Sequence, residues 1–139
     1  MTPKIKWLIA GLLLLITAQS LWILTPDPEP ELSKIINSYP IGTQSAVYEV
    51  LSNSGGATVP MTYLYFVASR QPEEAEALKM LEHHTPFLVT RQPGAITAVN
   101  GLKITARTHD SVYSFTSTSL LLEDGEVKPV SIDLAATSE

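Results

Sequence analysis

The stretch AITAVNGLKITART, residues 95–108, places Asn100-Gly101 between two runs in which apolar and polar residues alternate. A chain that reverses within two residues needs positive φ at its central positions, which Asn and Gly tolerate. The pattern therefore predicts two antiparallel strands joined by a type I′ turn. Such hairpins pair neighbouring strands without the long crossover that parallel strands require. This reading favours an α+β domain with a mostly antiparallel sheet over a doubly wound α/β fold.

Towards the C-terminus, SVYSFTSTSLLL (111–122) and EVKPVSIDLA (126–135) flank Glu123-Asp124-Gly125, a second hairpin with Val130, Ile132 and Leu134 on its inner face. Pro129 lacks a backbone donor, so the last strand is expected to be an edge or bulged one. Towards the N-terminus, QSAVYEVL (44–51) sets Ala46, Tyr48 and Val50 on one strand face, and SNSGG (52–56) supplies a turn. TVPMTYLYFVAS (58–69) is apolar on both faces, as in a central strand covered on both sides, with Pro60 at its start or on a bulge. PFLVTRQ (86–92) reads as a short buried strand.

Between these strands, SRQPEEAEALKMLEHH (69–84) has the marks of a helix. Ser69 or Gln71 precedes Pro72, Glu73, Glu74 and Glu76 follow at the positive end of the dipole, and His83 and His84 stand at the negative end. Ala75, Leu78 and Leu81, with Ala77 beside them, form a narrow apolar stripe for packing on the sheet, and Thr85-Pro86 ends the helix. The sum is six or seven strands with one packed helix.

The first 24 residues are of another kind. WLIAGLLLLITAQSLWIL (7–24) carries no charge, has Leu15 near its middle and Leu24 at its end, and sets Trp7 and Trp22 where indoles favour the headgroup region. Eighteen helical residues reach roughly 27 Å, close to the ~30 Å hydrocarbon core of a bilayer. Lys4 and Lys6 precede the run and all 14 acidic residues follow it, so the positive-inside rule puts the N-terminus in the cytoplasm and the rest across the membrane. The expected location is a bacterial inner membrane, single-pass, with a periplasmic C-terminal domain. A rival reading takes Ile9 to Ile16 as a signal core cleaved after Ala18-Gln19-Ser20. The chain stays apolar through Leu21-Trp22-Ile23-Leu24, which favours the uncleaved anchor.

The domain limits expected are 1–24 for the anchor, 25–40 for a Pro/acidic stalk opening on TPDPEPELS, with a helical turn at Leu32 to Ser38, and 41–139 for the folded domain. After residue 24, seven Lys/Arg stand against 14 Asp/Glu, a net charge of −7. No Lys/Arg cluster is present, so nucleic acid is not an expected partner. The chain has no cysteine, which excludes disulfides, Cys-ligated zinc and thiol catalysis.

Metal or acid–base chemistry would have to come from Glu82-His83-His84 and His109-Asp110. Adjacent helical histidines diverge by about 100° and suit one ion poorly, unlike an i, i+4 pair. Gly55-Gly56 lacks the lysine and the helix start of a phosphate loop. No catalytic residue, cofactor or metal is expected; the alternatives are a metal-dependent hydrolase on His83, His84 and His109, or a cleaved soluble binder. Met61, Tyr63 and Tyr65 on one strand, with Tyr113 and Phe115 on another, form a candidate surface for a protein partner. Two roles fit: immunity protein against an envelope-acting toxin, or accessory subunit of an envelope or secretion assembly. The alternative for these aromatics is packing beneath the helix. The Ser/Thr-rich face of 114–119 suggests a strand open to a partner's sheet.

Overall fold

The computed structural model describes residues 2–24, 31–53 and 61–137, and the side chain of Leu24 lies outside that description. The Pro/acid run of 25–30, the Gly55-Gly56 pair and Val59-Pro60 also lie outside it.

Helix α1 spans Pro3–Leu24 without a break. Its stretch Pro3–Ile23 is 21 residues long with mean hydropathy 1.6 and is nowhere buried against the protein, so it is long and apolar enough to cross a membrane. Trp7 and Trp22 are 80% and 84% exposed and Leu15 is exposed as well. The hydroxyls of Thr17 and Ser20 donate to the carbonyls of Leu13 and Ile16, so the helix satisfies these polar groups itself.

The rest forms three layers. Strands β1 (Leu32–Ile41), β2 (Ser45–Ser52), β3 (Thr62–Ser69), β4 (Leu88–Thr90) and β7 (Val112–Phe115) make a five-stranded antiparallel sheet in the order β1-β2-β3-β4-β7. Strands β5 (Ile96–Asn100), β6 (Lys103–Thr108), β8 (Thr118–Glu123) and β9 (Glu126–Ala136) make a second sheet, β5-β6-β9-β8. Helix α2 (Glu74–Leu81) covers the outer face of the first sheet. The fold is α+β and mostly antiparallel, but it has nine described strands in two sheets, and β6 pairs with β9 in parallel.

Each layer follows from which faces are apolar. β2 is buried along almost its whole length and β3 along its second half, so the strands at the middle of the sheet need cover on both sides. One face, with Leu32, Tyr48, Leu64 and Phe66, lies under Ala77 and Leu81 of α2. The other, with Val47, Tyr65, Val67 and Leu88, meets Ile104, Ala106, Leu121, Val130 and Ile132 of the second sheet. The rings of Tyr65 and Phe87 pack at 6.4 Å in this inter-sheet core. The helix is shorter than expected: Pro72 and Glu73 stand outside it, Ala75 is exposed, and Leu78 is half-buried.

Four expectations need correction. Leu32 to Ser38 is not a helical turn on a stalk but the start of β1, paired with β2 from Leu32↔Ser52 to Ile41↔Ser45, so the domain begins at residue 32. Bulges after Leu32 and Ile35 break its alternation, which hides it as a strand. The run 111–122 is not one strand of one sheet. It bends at Thr116-Ser117, where Thr116 N–H donates to Phe87 O in the first sheet and Ser117 O accepts from Ile132 N–H in the second.

The hairpin at 95–108 forms one residue later than expected. Asn100 pairs with Lys103, leaving Gly101-Leu102 as the turn, and only Gly101 (φ 59) has positive φ, the pattern of a type II′ turn. This register points Ile104 and Ala106 inward. The type I′ turn is found in the second hairpin, at Asp124 (φ 50) and Gly125 (φ 77). Pro129 pairs opposite Leu120; with pairs alternating from Glu123↔Glu126 at the two-residue turn, this is a non-hydrogen-bonded position, so the proline nitrogen faces away from β8. On that side β6 pairs only from Ser131 onward, so Pro129 sits on a local edge of an otherwise central strand.

Candidate functional site

The register defines two ends of the first sheet. Leu32, Ser52 and Thr62 form one row at the end where the chain arrives from α1, with Tyr63, Thr90 and Val112 in the next row. At the opposite end lies the Gly42-Thr43-Gln44 turn, against which the tip of the β8–β9 hairpin packs through Glu123. The anchor end and the distal end carry different chemistry.

At the distal end, the outer face of the second sheet is apolar. Leu120 pairs with Pro129 and Leu122 with Val127, and Leu120, Leu122 and Val127 are 64%, 56% and 62% exposed. Exposed Asp124 and Glu126 rim this patch at the tip, and the ion pair Lys103–Asp133 (3.0 Å) lies further along the same face. Strand β8 is also an edge: among the described residues only β9 pairs with it. Other edges are blunted, β1 by two bulges with Lys34 and Pro40, β5 by a bulge, and β7 by its length of four residues. From Thr118 to Leu122 the β8 edge has no charge, no proline and no bulge.

Glu123 holds this hairpin against the first sheet. Its Oε1 accepts from the N–H of Thr43 and of Gln44 and from the Thr43 hydroxyl, and Lys128 Nζ lies 3.9 Å from Oε2. The Thr43 N–H holds the Glu123 carboxyl below its ordinary range; covering by protein opposes this, and Gln44 N–H, the Thr43 hydroxyl and Lys128 reinforce it. A carboxyl lowered in the folded state stabilises the fold above its unfolded value, and that contribution disappears as the pH falls through the folded value. In denaturant titrations the wild type is expected to exceed Glu123→Gln in stability at neutral pH and to lose the advantage in acid. An advantage that did not change with pH would contradict the assignment.

A second buried carboxylate lies deeper. Glu49 is 0% exposed and accepts from Asn37 Nδ2 (2.8 Å), Gly94 N–H (2.6 Å) and the Tyr65 hydroxyl (3.0 Å). The Tyr65 hydroxyl also accepts from Ala95 N–H (3.1 Å) and lies 2.9 Å from Gln92 O. Burial, with the charge of Glu49, raises the Tyr65 phenol far above its ordinary value, and burial followed by Glu49 raises that of Tyr39. This network fastens the 92–95 connection, where the chain passes from one sheet to the other, with Glu49, Tyr65 and Ala95 fully buried at its centre.

These positions revise the aromatic surface expected from sequence. Tyr65 is fully buried and belongs to no surface; it packs between the sheets, on the face away from the helix. Tyr63 is half-buried, Met61 and Tyr113 are both 53% exposed, and Phe115 is 36% exposed on the β7 edge. No protein family, curated protein or solved structure matches this chain.

The structure does not bring the histidines together. Glu82, His83 and His84 line a groove of about 340 Å³ at the end of α2, where His84 Nδ1 lies 2.9 Å from Met80 O. His109 and Asp110 sit on the β6–β7 connection, with His109 Nδ1 2.7 Å from Thr137 Oγ1. Among the described residues no three His, Asp or Glu side chains converge as metal ligands. Glu49, Glu123 and the Leu120/Leu122/Val127 patch escape a reading by motif. Their only signals are a lone acid inside an apolar strand and three consecutive leucines before a turn.

Proposed function

We propose that this protein is a single-pass protein of a bacterial inner membrane whose periplasmic domain binds a protein partner through the β8–β9 face and the free edge of β8. The observation that carries this reading is the exposed apolar set Leu120, Leu122 and Val127 beside an unprotected strand edge, which suits the addition of a polypeptide strand. Asp124 and Glu126 at the rim, on a domain of net charge −7, favour a partner with basic residues flanking an apolar segment. Immunity towards an envelope-acting toxin and service as an accessory subunit both fit this geometry. Helix α1, free of charge from Trp7 to Leu24 and unbroken through Ala18-Gln19-Ser20, supports an uncleaved anchor, and Lys4 and Lys6 in its first turns support a cytoplasmic N-terminus.

The chain has no cysteine, so Val127→Cys offers one attachment point for a membrane-impermeant photocrosslinker. In spheroplasts the reagent is expected to couple and, on illumination, to yield one protein adduct that Leu122→Asp abolishes. Failure to couple would refute the topology; coupling without an adduct sensitive to Leu122→Asp would refute the binding face.

A further inference from the structure

We infer that the anchor end of the domain rests on the bilayer surface, with Met61 and Tyr113 in the headgroup region. The inference builds on the membrane-anchored reading above and goes beyond it by assigning the surface that the protein partner does not occupy.

The tether limits how far this end can be from the membrane. Seven residues separate Leu24 of α1 from Leu32 of β1, and eight steps of at most ~3.5 Å reach no more than about 28 Å. The end of the domain that faces the bilayer is thus the one carrying Leu32. The register puts Ser52 and Thr62 in the same row as Leu32, and strands lie ~4.8 Å apart, so Met61, next to Thr62, stands only about 10 Å along the rim from the tether. Further along the same rim, Tyr63, Thr90 and Val112 follow, with Tyr113 as the extra residue of the β7 bulge.

The chemistry of this rim suits an interface between water and lipid. Met61 and Tyr113 expose 53% of their surface, large apolar groups for a monomer to leave in water, and Tyr63 is half-buried beside them. Tyrosine has an apolar ring and a polar tip, which accounts for its enrichment at headgroup depth. Exposed Arg91, the residue after Thr90, adds a cation at the same rim. Glu123, Asp124 and Glu126 lie at the other end, while Glu31 beside Leu32, Glu82 in the groove that Leu32 lines and Asp110 near Val112 stand at this one, so the rim suits zwitterionic headgroups and not an anionic surface.

The test uses the full chain in phosphatidylcholine vesicles. Met61→Cys and Tyr113→Cys, each exposed, and Asp124→Cys at the distal turn are labelled singly with an environment-sensitive fluorophore, and a nitroxide is carried on the lipid headgroup. Both tryptophans of the chain lie in α1, so their quenching by acyl-chain nitroxides reports the anchor alone. Quenched tryptophan with labels at 61 and 113 losing most of their emission, and the label at 124 keeping it, is the expected result. Quenched tryptophan with all three labels alike would overturn the inference and leave the anchor standing, and would return this rim to the protein partner. Unquenched tryptophan would overturn the anchor and the inference together.

Discussion

Glu49→Ala is expected to lower the free energy of unfolding by about 3–5 kcal/mol, a large part of the ~5–15 kcal/mol that holds a typical domain. The substitution empties a fully buried side-chain site and removes the charged acceptor of Asn37 Nδ2, of Gly94 N–H and of the Tyr65 hydroxyl, which keeps Gln92 O as its remaining acceptor. A hydrogen bond to a charged group contributes ~1.5–3 kcal/mol, and water at Asn37 and Gly94 and Gln92 O at Tyr65 recover part of the three that are lost. Glu49→Gln should be much milder. Its amide oxygen can take the bonds from Tyr65 and Gly94, and its amine can donate to Asn37 once that side-chain amide rotates to present oxygen. All five tyrosines lie outside α1 and both tryptophans within it, so in a denaturant titration of the full chain in micelles the tyrosine band of the near-ultraviolet circular dichroism follows the domain while tryptophan fluorescence checks that the anchor is unchanged. Equal losses for the two variants would show that Glu49 is held by shape and not by its three donors.

Gly42→Ala is the second large effect. Gly42 has φ +63, and a Cβ there would overlap Glu123 Oε1, so the variant incurs both left-handed backbone strain and displacement of the carboxylate that caps Thr43 and Gln44. Gly101→Ala isolates the first part, because Gly101 has φ +59 with open space around it, and should cost ~1–2 kcal/mol. The loss for Gly42→Ala should be clearly larger. In a Glu123→Ala background the excess should disappear, since the atom it strikes is gone, and a double-mutant cycle reads that coupling directly. Additive losses would mean that the turn and the hairpin tip do not depend on each other.

The sequence is legible where one local rule acts alone. Asp124-Gly125 supplies positive φ twice and makes its hairpin as expected, and the uninterrupted apolar run fixes α1. It misleads where tertiary pairing decides. β1, LSKIINSYPI, is bulged twice and ends on a proline and an isoleucine, so its alternation is broken and only its partner β2 makes it a strand. The Asn100-Gly101 signal is overridden by one residue, because the inter-sheet core fixes the inward register of Ile104 and Ala106. In QSAVYEVL, Ala46, Tyr48 and Val50 do share a face, but Val47 and Glu49 on the other face are buried too, by a second sheet that no local pattern announces. The same second sheet takes Tyr65 out of the partner surface, while the patch that replaces it comes from leucines whose outward direction depends on that sheet's register.

The bent strand from Val112 to Glu123 has a further consequence. Its first third completes the edge of one sheet and its last half forms the edge of the other, with backbone hydrogen bonds on both sides of the bend at Thr116-Ser117. Neither sheet is complete without the other, so the domain has no natural seam along which to come apart. It should melt as one cooperative unit, and a chain cut at the bend should retain neither half.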